Sequence, residues 1–131
     1  MLDPTGAWYE ERRIFIGVDK GYAYQALDAA DLTAAINVSG WALSWKLKRK
    51  PEDGDGKALI TKTTSSGITV SGSYNAVAAQ STQRATVTLE DTDTDNLPPG
   101  VYAYELKRTD AGFETVLAFG PITLIRGVHW G

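Results

Sequence analysis

At 131 residues the chain suits one domain with a single core. Its 43% hydrophobic and 22% charged composition is that of an ordinary globular protein, and a net charge of -3 leaves no electrostatic footprint for general nucleic-acid binding. With no cysteine, disulfides, thiolate zinc sites and cysteine nucleophiles are excluded, which fits assembly in a reducing cytoplasm.

Residues 1–12 read as an N-terminal arm. Its start, Met1-Leu2-Asp3-Pro4-Thr5-Gly6, lacks the basic residues and apolar run of a signal peptide, and no apolar stretch in the sequence has the length of a membrane span. The arm carries Trp8 and Tyr9, large aromatics outside the main alternation. A β-sandwich is expected over residues 13–126. Ile14, Ile16 and Val18 alternate with Arg13, Phe15 and Gly17 as a strand, Asp19-Lys20-Gly21 is a turn, and Tyr22 to Ala26 is another strand. Asp28 to Ile36 is alanine-rich, with Asp28 placed to cap and Leu32 and Ile36 four apart, which predicts a short helix.

From Trp41 to Lys50 the alternation is strong. Trp41, Leu43, Trp45 and Leu47 share a core face, and Ser44, Lys46, Lys48 and Lys50 share a solvent face. Further strands follow over Lys57–Thr63, Ile68–Tyr74 and Ala85–Leu89, and Asn75–Thr82 reads as a loop. Asp91–Gly100 is a connection, because Pro98 and Pro99 lack the donors of a central strand. Val101–Arg108 and Phe113–Phe119 form the closing hairpin about Asp110-Ala111-Gly112. Its expected register sets Arg108 against Glu114, Leu106 beside Val116 and Tyr104 beside Ala118, leaving Ala103, Leu117 and Phe119 on a second apolar face. Gly120-Pro121 marks a bend before a last strand over Ile122–Ile125, and residues 127–131 form a tail with His129 and Trp130. Seven to nine short strands with turn signals between them are the pattern of a sandwich.

Tests for chemistry return little. Asp91, Asp93 and Asp95 have the spacing that opens a calcium loop, but Asn96 and Tyr102 stand where its glycine and glutamate belong. Asp53 and Asp55 fail similarly, with Lys57 at the next ligand position. No metal or cofactor is expected. The sole histidine, His129, is near the C-terminus, poorly placed for a catalytic triad. Glu105 and Glu114 read as surface ion pairs rather than opposed glycosidase carboxylates. In the basic run Lys46, Lys48, Arg49 and Lys50, three of the four alternate with the tryptophan face, so the run reads as the solvent face of a half-buried strand rather than a nucleic-acid patch. The expectation is a non-catalytic protein that works through its surfaces.

Two stretches carry a family resemblance. Ser39-Gly40-Trp41-Ala42-Leu43-Ser44-Trp45-Lys46-Leu47 resembles the threonine-glycine-aromatic strand opening of small bacteriophage virion proteins. Leu97-Pro98-Pro99-Gly100-Val101-Tyr102-Ala103-Tyr104-Glu105-Leu106-Lys107, with Thr109-Asp110-Ala111-Gly112 and Leu117-Ala118-Phe119-Gly120, resembles their closing hairpin. The resemblance spans roughly residues 38–126 and includes the N-terminal domain of the phage baseplate upper protein family, an immunoglobulin-like β-sandwich. Gly100-x-Tyr102-x-Tyr104 also resembles a tyrosine corner, with Tyr104 where antibody domains carry cysteine.

This resemblance implies a virion structural protein assembled in the host cytoplasm. Baseplate upper proteins continue into further segments, whereas this sequence stops at Gly131, which favours a stand-alone accessory protein. Its size and architecture suit a capsid decoration, or cement, protein that binds the major capsid protein or other virion subunits and self-associates on the particle. No specific nucleic acid and no membrane partner is expected. A tail or baseplate adaptor is the alternative; a carbohydrate-binding module is the alternative of another class. The expected partner-binding residues are Trp8, Tyr9, Leu117, Phe119, His129 and Trp130. Trp8 and Tyr9 either fold back over Leu117 and Phe119 or dock on a neighbouring subunit.

Overall fold

The computed structural model describes residues 8–16, 20–28 and 30–126. Its strands are β1 (Trp8–Tyr9), β2 (Arg12–Phe15), β3 (Lys20–Tyr24), β4 (Leu27–Asp28), β5 (Asp31–Ala35), β6 (Leu43–Lys48), β7 (Ile60–Thr63), β8 (Ile68–Ser71), β9 (Arg84–Leu89), β10 (Gly100–Arg108) and β11 (Thr115–Ile125). One helical turn, α1 (Asp91–Thr94), precedes β10. The architecture is an all-β sandwich. A six-stranded sheet runs β1-β11-β10-β6-β7, with β2 also against β11, and packs on a three-stranded sheet ordered β3-β9-β8. The two N-terminal strands run parallel to β11.

Period-two alternation builds the core. On β6, Leu43, Trp45 and Leu47 point inward, as do Tyr102, Tyr104 and Leu106 on β10 and Ala118, Ile122 and Leu124 on β11. Tyr22, Ala85, Val87, Leu89 and Ile68 meet them from the smaller sheet. Trp45 is fully buried and stacks between Tyr22, at 6.5 Å, and Tyr104, at 6.1 Å, so one aromatic column ties the two sheets together. Trp41 lies at the core margin, half-buried, with the Arg108 guanidinium 4.0 Å above its ring.

Leu97-Pro98-Pro99 leads from α1 into β10. There the Tyr102 hydroxyl donates to the Pro98 carbonyl at 2.6 Å and anchors the turn that the prolines begin. Tyr102→Phe is expected to lower stability by about 1 kcal/mol, the net worth of one hydrogen bond, read from the urea midpoint. An unchanged midpoint would show that the bond does not hold the corner.

The segment expected as a helix is a hairpin instead. Leu27 pairs with Ala35 and Asp28 with Asp31. The Asp28 carboxylate accepts from the Ala30 amide at 2.9 Å, and that of Asp31 from the amide and hydroxyl of Thr33 at 3.0 and 2.6 Å. The aspartates therefore close turns rather than cap a helix, a competition such side chains often win. Tertiary pairing completes the override, because the Ala35 amide donates to the Ala76 carbonyl at 2.9 Å.

The closing hairpin also differs in register. Leu106 pairs with Ala118, but Lys107 pairs with Val116, so Leu117 is the extra residue of a β-bulge. Arg108 consequently lies opposite Thr115 and bonds Asp110 at 2.8 Å, not Glu114, which is an exposed loop residue. Gly112 adopts a left-handed conformation at φ 83°. β11 continues unbroken through Gly120-Pro121. Pro121 falls between the residues paired to β1 and those paired to β2, where that ladder is interrupted.

Candidate functional site

Alternation that buries one face of the six-stranded sheet also composes its outer face. Registers set Lys46, Glu105, Phe119 and Tyr9 in one row across four strands, with Lys48, Ala103 and Pro121 in the next. Tyr9 and Phe119 meet edge to face at 5.4 Å. With Val101, which is 66% exposed, they floor a groove of about 710 Å³.

One flank of the groove is basic. Lys46 and Lys48 both reach Asp55, at 3.4 and 3.0 Å, and Lys48 is buried rather than solvated as its phase implied. The hydrogen bond from Lys48 and the charge of Lys46 hold the Asp55 carboxyl below its ordinary range. Arg49 donates to the Tyr102 hydroxyl at 3.3 Å and lies over that ring. Lys50 is exposed and is without an ion-pair partner among the described residues.

A second surface lies at the loop end of the sandwich. The β4–β5 hairpin rests on residues 74–80, with Tyr74 Oη donating to the Ala35 carbonyl at 3.1 Å and Gln25 Nε2 to that of Ala78 at 2.9 Å. Gln83 is buried beneath it, accepting from the Val38 amide at 3.0 Å and donating to Asn37 and Ser39, each at 2.9 Å. The Asp110 carboxyl is held below its usual range by Arg108 and then by the Ala42 amide, which clips the closing loop to the chain before β6. Leu32, Ile36, Tyr74, Val77 and Phe113 remain exposed on these loop-end segments. A trough of about 530 Å³ adjoins, walled by Ile36, Val38, Trp41 and Leu117.

The bulge decides where the expected site residues fall. Tyr9 and Phe119 come together on the outer face, so Tyr9 folds back within its own chain. Leu117 does not join them; it packs on the core margin and lines the trough. The Trp8 backbone pairs with Ala118, and its side chain lies outside the described residues, as do His129 and Trp130. Sequence reasoning missed Val101, Pro121 and the groove role of Arg49 and Lys50. A signal was present for Val101, which alternates with buried Tyr102.

The carboxylates singled out for metal are otherwise engaged. Asp93 bonds Lys62 at 2.8 Å and the Glu90 amide at 2.7 Å, and Asp91 accepts from the Thr92 amide at 2.8 Å. Among the described residues no three histidine, aspartate or glutamate side chains gather as a metal site, and no helix is long and apolar enough to cross a membrane. The outer face offers apolar surface, an aromatic pair and charge. The fold and this face define a β-sandwich with an open, basic-flanked apolar groove. No protein-family model matches the chain, and no curated protein matches it.

Proposed function

We propose that this chain is a non-catalytic bacteriophage virion structural protein, a capsid decoration protein that binds the major capsid protein and stabilises the shell. The observation that carries the reading is the outer face, where Tyr9, Phe119, Pro121 and Val101 present apolar surface flanked by charge. The resemblance supplies the virion. Its two stretches fall on β6, β10 and part of β11, the middle strands of the larger sheet.

We read the sandwich as immunoglobulin-like. Supporting this are the N-terminal strands parallel to β11, the β3-β9-β8 order of the second sheet, Trp45 buried between the sheets, and the Tyr102–Pro98 corner bond. A glycan-binding role draws less support from the aromatics, since Trp41 is covered by Arg108 and Trp45 is buried.

The test uses empty shells of the major capsid protein of the virion that this reading implies, with and without the purified chain. Saturable binding that raises the shell melting temperature by several degrees is expected, since a ligand of the assembled state stabilises it by mass action. Shells that neither bind the chain nor melt higher would overturn the decoration role. Binding confined to purified tails would replace it with the adaptor role.

A further inference from the structure

We infer that β8 is a self-association edge, through which two copies of this chain pair antiparallel and join their three-stranded sheets into one. The inference holds whether or not the chain is a virion protein.

The backbone hydrogen bonds carry the argument. β8 lies at one edge of the β3-β9-β8 sheet and pairs with β9 alone. The Thr88 amide donates to the Gly67 carbonyl at 2.9 Å. In the same register Thr69 and Ser71 also turn their backbone groups to β9, because hydrogen-bonded pairs alternate along an antiparallel ladder. The N–H and C=O groups of Ile68 and Val70 therefore point away from the sheet, and they have no partner among the described residues.

Open edges are commonly blunted by charge. The other edge strands of four or more residues follow this: Arg12 and Arg13 stand on β2, Lys20 on β3, Asp31 on β5 and Lys62 on β7. β8, Ile68-Thr69-Val70-Ser71, carries no charge.

An identical strand fits this edge. About a twofold axis through Thr69, Ile68 of one copy lies opposite Val70 of the other. Each such pair exchanges two hydrogen bonds, so the two pairs satisfy all four groups on both strands. Ile68 and Val70 share the core-facing side, so each pair is also an apolar contact, and Val70 is only half-buried in the single chain. Thr69, Ser71, Thr86 and Thr88 lie on the opposite side near the axis, with no charge to oppose a second copy. A foreign segment finds less. Strand addition draws its specificity from pockets for alternate side chains, and no residue of β8 lines the outer groove or the trough.

Four residues bury much less than the roughly 1,200 Å² of a stable complex. The pairing is therefore weak, with a dissociation constant on the order of 0.1–1 mM.

The test follows amide exchange of the isotopically labelled full chain between about 0.02 and 2 mM, a range that brackets this constant. Exchange at Ile68 and Val70 should slow about two- to fivefold across the range, as the monomer fraction falls. The Thr69 and Ser71 amides, bonded to β9, should not change. Exchange at Ile68 and Val70 that is independent of concentration would overturn the inference. So would concentration-dependent changes confined to Val101 and Phe119, or to Leu32 and Val77.

Thr69→Lys, at an exposed position, sets two like charges face to face and should weaken association about fivefold by sedimentation equilibrium. Thr69→Glu should do the same, and the amide spectrum of each variant reports that it stays folded. An equimolar mixture of the two variants places opposite charges at the axis and should restore association. A mixture no more associated than either variant alone, or association that Thr69→Lys leaves unchanged, removes β8 as the edge.

Discussion

Replacing Gly120 with alanine is expected to destabilise the domain by about 2–4 kcal/mol, the range for breaking a buried backbone crossing with its hydrogen bonds. A Cβ at this position would stand 2.2 Å from the Glu10 carbonyl oxygen and 3.0 Å from its carbon. Both are backbone atoms, so no side chain can rotate away. Glu10 is also held from two sides: its amide donates to the Phe119 carbonyl at 3.1 Å, and its carbonyl accepts from the Tyr104 hydroxyl at 2.6 Å. Relief of the clash must lift the chain between β1 and β2 off β11 and break both contacts. Urea unfolding should show a lower midpoint with little change in slope, because the surface exposed on unfolding hardly changes. Amide exchange at Glu10 and Ile16 should rise first, since those amides bond to Phe119 and Ile125.

Gly112→Ala is the control. Gly112 has φ 83°, but nothing lies within 4 Å of its would-be Cβ. Its cost is the conformational one alone, about 1 kcal/mol. Equal losses at the two glycines would mean that the crossing at Gly120 adds nothing beyond backbone strain.

The Gly120 crossing also shows where the sequence stops being legible. Trp45, Leu47, Tyr102, Tyr104 and Leu106 are readable as core because alternation is local and each keeps its phase along one strand. The parallel pairing of β1 and β2 with β11 joins residues more than a hundred positions apart, and no local pattern encodes it. The bulge at Leu117 is similarly silent. One extra residue shifts the phase of everything before it on β11, so Leu117 and Phe119 part company although they are two apart. The helix expected over Asp28–Ile36 fails because alanine content is a weak prior, whereas Asp28 and Asp31 find amides to accept from in a hairpin. For the candidate site, Tyr9 was legible as an aromatic outside the main alternation and Phe119 as part of a second apolar face. The basic rim was not, because its meaning comes from lying beside Phe119 and Pro121 across three strands.

Alkali is expected to unfold the domain between about pH 10 and pH 12, beginning where ordinary tyrosine titrates. Burial pushes the Tyr22 phenol up to about 12, against a partial opposing pull from Arg12. Burial likewise raises Tyr24 and Tyr104, again opposed by Arg12. Each is an acid whose neutral form the fold favours. Above the ordinary value the unfolded chain releases phenolic protons that the folded chain retains. The unfolded state then binds fewer protons, and stability falls as pH rises. The contribution is fully present at neutral pH and is lost as pH climbs through the folded values.

Hydrogen bonding sharpens the loss. The hydroxyls of Tyr22 and Tyr104 donate to the carbonyls of Arg13 and Glu10, at 3.1 and 2.6 Å. A phenolate has no proton to donate and would face each carbonyl oxygen as an anion. Tyrosinate absorbance from the buried rings should therefore appear together with the loss of near-ultraviolet circular dichroism, not before it. Tyr104→Phe separates the two effects. It should lower stability at neutral pH through the lost Glu10 bond, yet show a shallower decline above about pH 10, because one linked proton has been removed. Phenolic absorbance that saturates while the circular dichroism of the folded chain persists would mean that burial is not what holds these protons.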